Sequence, residues 1–253
     1  VRLIIGDVSR DNSMKFVSRY ESHPTDERGY VDYSQEEHEV WRFLFERQVK
    51  ILENRAVDEF IQGLEKLNLS ADSIPQIPKL NAQLTRVSSW QVVPVAAVIP
   101  PDAFFGLLAK RQFPVATFIR RQEDIDYITE PDVFHEVFGH IPLLTNTYYA
   151  DFVSHFANIA LSHPKEDWYM FLRLFWFTIE FGLIETPKGM RIYGGGILSS
   201  YAETMTALST DAAIRAYFEP VSVFRTPYRI DVLQSIYYVI KDFSVMFDLC
   251  KLD

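Results

Sequence analysis

Residues 169–184 form an almost wholly apolar and aromatic stretch, interrupted by polar side chains only at Arg173, Thr178 and Glu180. Such a stretch has to be covered by the rest of the protein, and its two charged residues make it a poor membrane span. The chain has the material to cover it. Of 253 residues, 48% are hydrophobic and 15% aromatic, enough for one core that removes roughly 70% of the unfolded surface from water. The longest uncharged run, residues 87–101, is broken by Pro94, Pro100 and Pro101 and also reads as core.

Composition excludes several classes. Asp and Glu number 34 against 25 Lys and Arg, giving a formal charge of −9, and no basic block stands out to follow a phosphate backbone. Nucleic acid is therefore not expected as a partner, and neither is a membrane. Cys250 is the single cysteine, which rules out an internal disulfide or a thiolate zinc site and fits a reducing, cytoplasmic setting. The first residues lack the pattern of a secretory signal. Residues 1–13 are read as an N-terminal extension and residues 14–253 as one catalytic domain.

The pattern along the chain predicts a mainly α protein with a few short β-strands in a single domain. Ser34 and Glu37 have capping-box spacing, and Val40, Trp41, Leu44, Phe45, Ile51 and Leu52 follow at helical intervals. Val57, Phe60, Ile61, Leu64 and Leu67 form a second stripe. Prolines in residues 74–101 predict only short extended pieces such as 90–93. Beyond them the reading is helix at 104–110, strand at 113–119, and helices at 131–139, 148–161, 167–183, 200–213 and 231–249.

Two features carry chemistry. His135 and His140 lie five apart, which on an ideal α-helix separates them by about 140°. The expectation is that the helix ends between them, with Gly139 permissive and Pro142 turning Ile141 away from helical angles, so that His140 swings back towards His135. The spacing excludes the zinc-protease motif, whose histidines are four apart. Glu180 is the second feature, because an ionised carboxylate among apolar neighbours costs several kcal/mol unless it is paired or bound to a cation. Two imidazoles and one carboxylate make a facial triad typical of non-haem Fe(II) oxygenases. Zinc hydrolases use the same ligand types, with Glu136 then the general base; the aromatic density around Glu180 favours iron.

Three strings then bring a family into view: Glu-Pro-Asp-x-x-His-Glu-x-x-Gly-His-x-Pro-Leu at 130–143, Trp-Phe-Thr-Ile-Glu-Phe-Gly-Leu at 176–183 and Tyr-Gly-Gly-Gly-Ile-Leu-Ser-Ser at 193–200. Together they resemble the tetrahydropterin-dependent aromatic amino acid hydroxylases, over most of the chain. The resemblance implies Fe(II) on His135, His140 and Glu180. It implies Arg120 on the substrate carboxylate, oriented by Asp132, and a ring pocket walled by Pro131, Trp176 and Phe181. Ser199 would support a ligand histidine beside that pocket. For the pterin it implies Phe104 as stacking partner, the backbone of Val95, Ala96, Ala97 and Ile99 along the polar edge, and Glu136 close by. Residue chemistry alone would read Arg120 and Asp132 as an ordinary ion pair and Trp176 and Phe181 as core.

The implied reaction converts L-phenylalanine to L-tyrosine with O₂ and a tetrahydropterin, in a monomer or homodimer. Trp176 argues against tryptophan as substrate and apolar Ile230 against tyrosine, although hydroxylation of either by the same chemistry is the nearest alternative. Phe175 and the pair Ile128 and Thr129 depart from the family pattern near the amino acid end of the pocket.

Overall fold

The computed structural model describes residues 19–249 except 97, 98, 127, 129 and 210. Expectations for residues 1–13, Ala97, Thr129 and Cys250 lie outside the described residues.

Helix α1 (Gln35–Leu52) begins where its capping box predicts: Ser34 Oγ accepts from the Glu37 N–H at 3.3 Å, and Glu37 Oε2 accepts from the Ser34 N–H at 2.8 Å. Its buried stripe carries Trp41, whose ring meets Phe134 edge-on at 5.4 Å. Helix α2 (Asp58–Lys66) buries Phe60 against Phe138 at 5.5 Å. Phe134 and Phe138 stack on each other at 4.8 Å. The first two helices thus clamp the outer face of the segment that carries both histidines, each aromatic pair adding about 0.5–1.5 kcal/mol beyond its buried area.

The proline-rich region holds a helix that the sequence reading missed. Helix α3 (Ile77–Val87) places Pro78 in its first turn, where no N–H is needed and the fixed φ suits the helix. Asn81 on this helix bonds both backbone groups of Val92, at 2.7 and 2.9 Å, and so acts as a strand neighbour to β1 (Gln91–Val95). Helix α4 (Pro101–Ala109) connects β1 to the parallel β2 (Gln112–Ala116), with Val93 opposite Pro114. Helices α5 (Thr147–Ser162) and α6 (Trp168–Phe175) complete the helical wall.

A second sheet has the order β4-β3-β6-β5. Its strands are β3 (Gly182–Thr186), β4 (Gly189–Ile192), β5 (Ile214–Tyr217) and β6 (Ile236–Ile240), with β6 parallel to both neighbours. Two expected helices fail here. The helix at 231–249 is replaced by a strand and a short terminal helix: the run Ile-Tyr-Tyr-Val-Ile is apolar at every position because β6 is a central parallel strand, which buries both faces. The helix at 167–183 stops at Glu180, and Gly182 already belongs to β3. The helix at 200–213 shortens to α8 (Tyr201–Ala207), preceded by α7 (Gly195–Leu198) and followed by α9 (Pro220–Arg225); α10 (Ser244–Leu249) lies beyond β6. Mainly α with short strands around one large core and a small satellite cluster is nonetheless the observed class.

Candidate metal centre

Residues Phe134–His140 form a π-helical turn, in which N–H groups bond five residues back and side chains five apart stack on one face. This corrects the expected break. The helix does not end between the histidines; a wider winding brings them together. Ile141 keeps helical angles (φ −63°, ψ −36°), and Pro142 enters a tight 3₁₀ segment, Ile141–Thr145. Gly139 is needed for close approach rather than for chain reversal, because a Cβ there would lie 2.7 Å from the Gly195 carbonyl oxygen.

The third group arrives by the same device. Residues Trp176–Glu180 continue α6 as a second π-helical turn, closed by the Phe181 N–H on the Trp176 carbonyl at 2.9 Å. Glu180 projects into the core beside both imidazoles. His135 Nε2 and His140 Nε2 are 3.3 Å apart, His140 Nε2 is 3.3 Å from Glu180 Oε1, and His135 Nε2 is 3.7 Å from Glu180 Oε2.

Three donors at bond lengths of roughly 2.1 Å and right angles would stand about 3 Å apart. The observed triangle is close to that, and all three side chains are buried. Glu180 Oε2 has no hydrogen-bond donor among the described residues. Burial works against the charged form of Glu180, yet the neighbouring imidazoles hold its carboxyl below the usual range. Burial also pushes the His135 ring below its ordinary value, despite Glu180. A buried carboxylate beside an imidazole that burial keeps from protonating leaves a cation as the group that completes the charge balance. The residues fit a divalent metal with two nitrogen donors and one oxygen donor.

His135 Nδ1 lies 2.8 Å from Ser199 Oγ. Ser200 caps α8 through the Glu203 N–H at 3.3 Å, but Glu203 does not return the bond: its carboxylate accepts from the Gln234 N–H and the Tyr237 hydroxyl instead.

Arg120 and Asp132 form a buried fork. Nε and Nη2 donate to the two carboxylate oxygens at 2.8 and 2.9 Å, and Asp132 also accepts the backbone N–H groups of Arg120 and His135. Burial would raise the Asp132 pKa, but the Arg120 charge and these bonds hold it low. Nη1 of Arg120 makes no hydrogen bond among the described residues, and Arg120 lines a cleft together with Phe181, Ser199, Ile230, Glu203 and Gln234. Pro131 is buried. Trp176 is fully buried between Phe181 (4.5 Å) and Tyr228 (4.4 Å), one layer behind the cleft.

On the other expected side, Glu136 is buried and its Oε1 has no hydrogen-bond partner among the described residues; burial, Glu180 and Asp132 all push its carboxyl well above the ordinary value. Phe104 is 1% exposed and meets Phe105 and Phe175 edge-on. Val95 and Ile99 are half-buried and Ala96 is exposed. The sequence reading missed Gln234 and Glu203 as parts of the cleft, since a lone amide and a helix-start glutamate carry no pattern that marks them.

Comparison with known proteins agrees with this centre. The biopterin-dependent aromatic amino acid hydroxylase family matches residues 9–251, and the chain belongs to that family. It is 47% identical to the phenylalanine-4-hydroxylase of Pseudomonas aeruginosa, over 93% of this chain and 90% of that one. The solved phenylalanine hydroxylase of Legionella pneumophila superposes with a TM-score of 0.90 at 51% identity, covering 92% of each chain. The Chromobacterium violaceum phenylalanine hydroxylase, solved with iron(III) and 7,8-dihydrobiopterin bound, superposes with a TM-score of 0.84 at 42% identity, covering 89% of this chain and 85% of that one. Among the described residues no helix is long and apolar enough to cross a membrane.

Proposed function

We propose that the chain hydroxylates L-phenylalanine to L-tyrosine with O₂ and a tetrahydropterin, using Fe(II) held by His135, His140 and Glu180. The converging triad carries this reading, because two imidazoles and one carboxylate leave coordination positions open for a reacting ligand. Ferrous iron and the reduced pterin, when bound, supply the electrons that activate O₂. The protein contributes donors, orientation and a dry site.

The substrate carboxylate meets Nη1 of Arg120, whose plane the Asp132 fork already fixes, so little side-chain entropy is lost on binding. The substrate ring points towards the aromatic wall of Phe181 backed by Trp176, with Pro131 completing the pocket. Ile230 keeps that end of the cleft apolar, which favours phenylalanine over tyrosine.

On the pterin side, Glu136 turns its carboxyl to the heterocycle, and the backbone of Val95, Ala96, Ala97 and Ile99 serves the polar edge. Phe104 offers its ring only when the pterin displaces what now covers it.

The test is anaerobic loading of metal-depleted protein with ferrous ion, followed by O₂, a tetrahydropterin and each aromatic amino acid in turn. Tyrosine formation from phenylalanine that requires both iron and pterin, and that is abolished in His135→Ala and Glu180→Ala, is expected. Full turnover without iron refutes the reading, and hydrolytic activity with zinc in the absence of O₂ replaces it.

A further inference from the structure

We infer that Gln234 is a positioning residue that fixes the orientation of Trp176 behind Phe181 and clasps it to the loop that carries Ile230, Val232 and Leu233 into the cleft. The inference rests on the reading of that cleft as the substrate site.

Trp176 is sandwiched between Phe181 and Tyr228, with interplanar angles of 36° and 17°. Stacking of this kind holds a ring in its layer but lets it slide and turn within the layer, because the attraction is nearly flat in those directions. A directional bond removes that freedom. The indole N–H donates to Gln234 Oε1 at 2.9 Å in a buried environment.

The amide orientation follows from chemistry. An indole nitrogen is only a donor, so the amide oxygen must face it and the amide nitrogen must face away. There Nε2 donates to the Arg229 carbonyl at 2.8 Å and to the Val232 carbonyl at 3.3 Å. Those carbonyls bracket Ile230, and Ile230, Val232 and Leu233 line the cleft. One side chain therefore bonds the indole that backs Phe181 and the backbone of the segment that carries Ile230, Val232 and Leu233.

Gln234 is anchored in turn. Its own N–H donates to Glu203 Oε1 at 3.0 Å, and Glu203 Oε2 accepts from the Tyr237 hydroxyl on β6. A clasp of this form needs one acceptor and two donors on a planar group. Glutamine provides them, methionine of similar length offers only a weak acceptor and no donor, and glutamate lacks the donors.

The experiment compares Gln234→Met, Trp176→Phe and the double variant. Loss of the clasp is expected to raise KM for phenylalanine about tenfold and to lower the tyrosine formed per pterin oxidised, with kcat changed less than about threefold. The double variant is expected to be no worse than Trp176→Phe, because both changes remove the same bond.

A purely structural role predicts a lower Tm with KM and product yield per pterin unchanged, and that result overturns the inference, as do additive effects in the double variant. A second readout uses no turnover. In zinc-loaded protein, which is diamagnetic, the Trp176 indole N–H resonance is identified by its absence in Trp176→Phe. Slow exchange in the wild type and fast exchange in Gln234→Met support the clasp; equal protection in both overturns it. Should Gln234→Met fail to fold, solvent-rate exchange in the wild type is enough to overturn it, and slow exchange there supports it. If protection behaves as expected but Trp176→Phe leaves KM unchanged, the substrate-site reading fails instead.

Discussion

The Ser199 hydroxyl bridges His135 and the backbone of α7: Oγ lies 2.8 Å from His135 Nδ1 and 2.8 Å from the Gly195 carbonyl oxygen. A hydroxyl has one proton to give, and the carbonyl can only accept it. Ser199 must therefore accept from Nδ1–H, which leaves the Nε2 lone pair facing His140 and Glu180. Replacing Ser199 with alanine frees the ring to take the other tautomer. Iron affinity is expected to fall about 10- to 100-fold with helical content unchanged, measured by competition with a chelator of known affinity. Wild-type affinity in that variant would show that the tautomer is set elsewhere.

Gly195 limits the space behind the second histidine. A Cβ at this position would sit 2.4 Å from His140 Cε1 and 2.5 Å from Nδ1. The ring is a rigid plane packed on Phe113 at 5.1 Å, so it cannot give way on the far side without disturbing the core. In Gly195→Ala the iron content of purified protein is expected to drop to a small fraction of one per chain while the circular dichroism stays near wild type. Full iron content would mean that α7 moves instead.

How much of this was legible in the letters depends on whether the cause was local. The capping box at Ser34 and the apolar stripe of α2 were readable because they need only residues within a few positions. The ligand set was readable because Glu180 has no affordable state among apolar neighbours without a counter-charge. The winding that joins the ligands was not. Residues five apart can meet by ending a helix or by widening it, and the choice is made by Phe134 and Phe138 packing on Trp41 and Phe60, far away in sequence. Strand β6 was misread for a similar reason: an apolar run suits a buried helix as well as a central parallel strand, and only its neighbours β3 and β5 decide. Gln234 left no trace, since its partners are set by tertiary structure alone.

The fork between Arg120 and Asp132 separates two costs that are usually confounded. Asp132→Asn leaves a buried guanidinium without its counter-charge and is expected to destabilise the fold by about 3–5 kcal/mol, visible as a large fall in Tm. Arg120→Lys keeps the charge but loses the planar fork. It is expected to fold with a smaller loss of Tm and to raise KM for phenylalanine far more than it changes kcat. Equal effects on KM and kcat would mean that Arg120 serves the reaction step rather than carboxylate binding.

Glu203 gives the pH dependence a defined sign. Burial raises its pKa, and the bonds from Tyr237 and the Gln234 N–H offset this only in part. Below the unfolded value of about 4.3 the group is protonated in both states and contributes no slope. As pH rises past that value the unfolded chain releases its proton first while the folded chain retains it, so this group's contribution to stability is lost progressively up to the raised folded pKa. Glutamine at position 203 has no proton to release and keeps an acceptor for the Gln234 N–H. The Tm of Glu203→Gln relative to wild type is therefore expected to move in the variant's favour as pH climbs from 4 towards neutrality, by scanning calorimetry at closely spaced pH values. A difference that stays flat, or that shrinks with rising pH, would mean that the folded protein stabilises the ionised carboxylate instead.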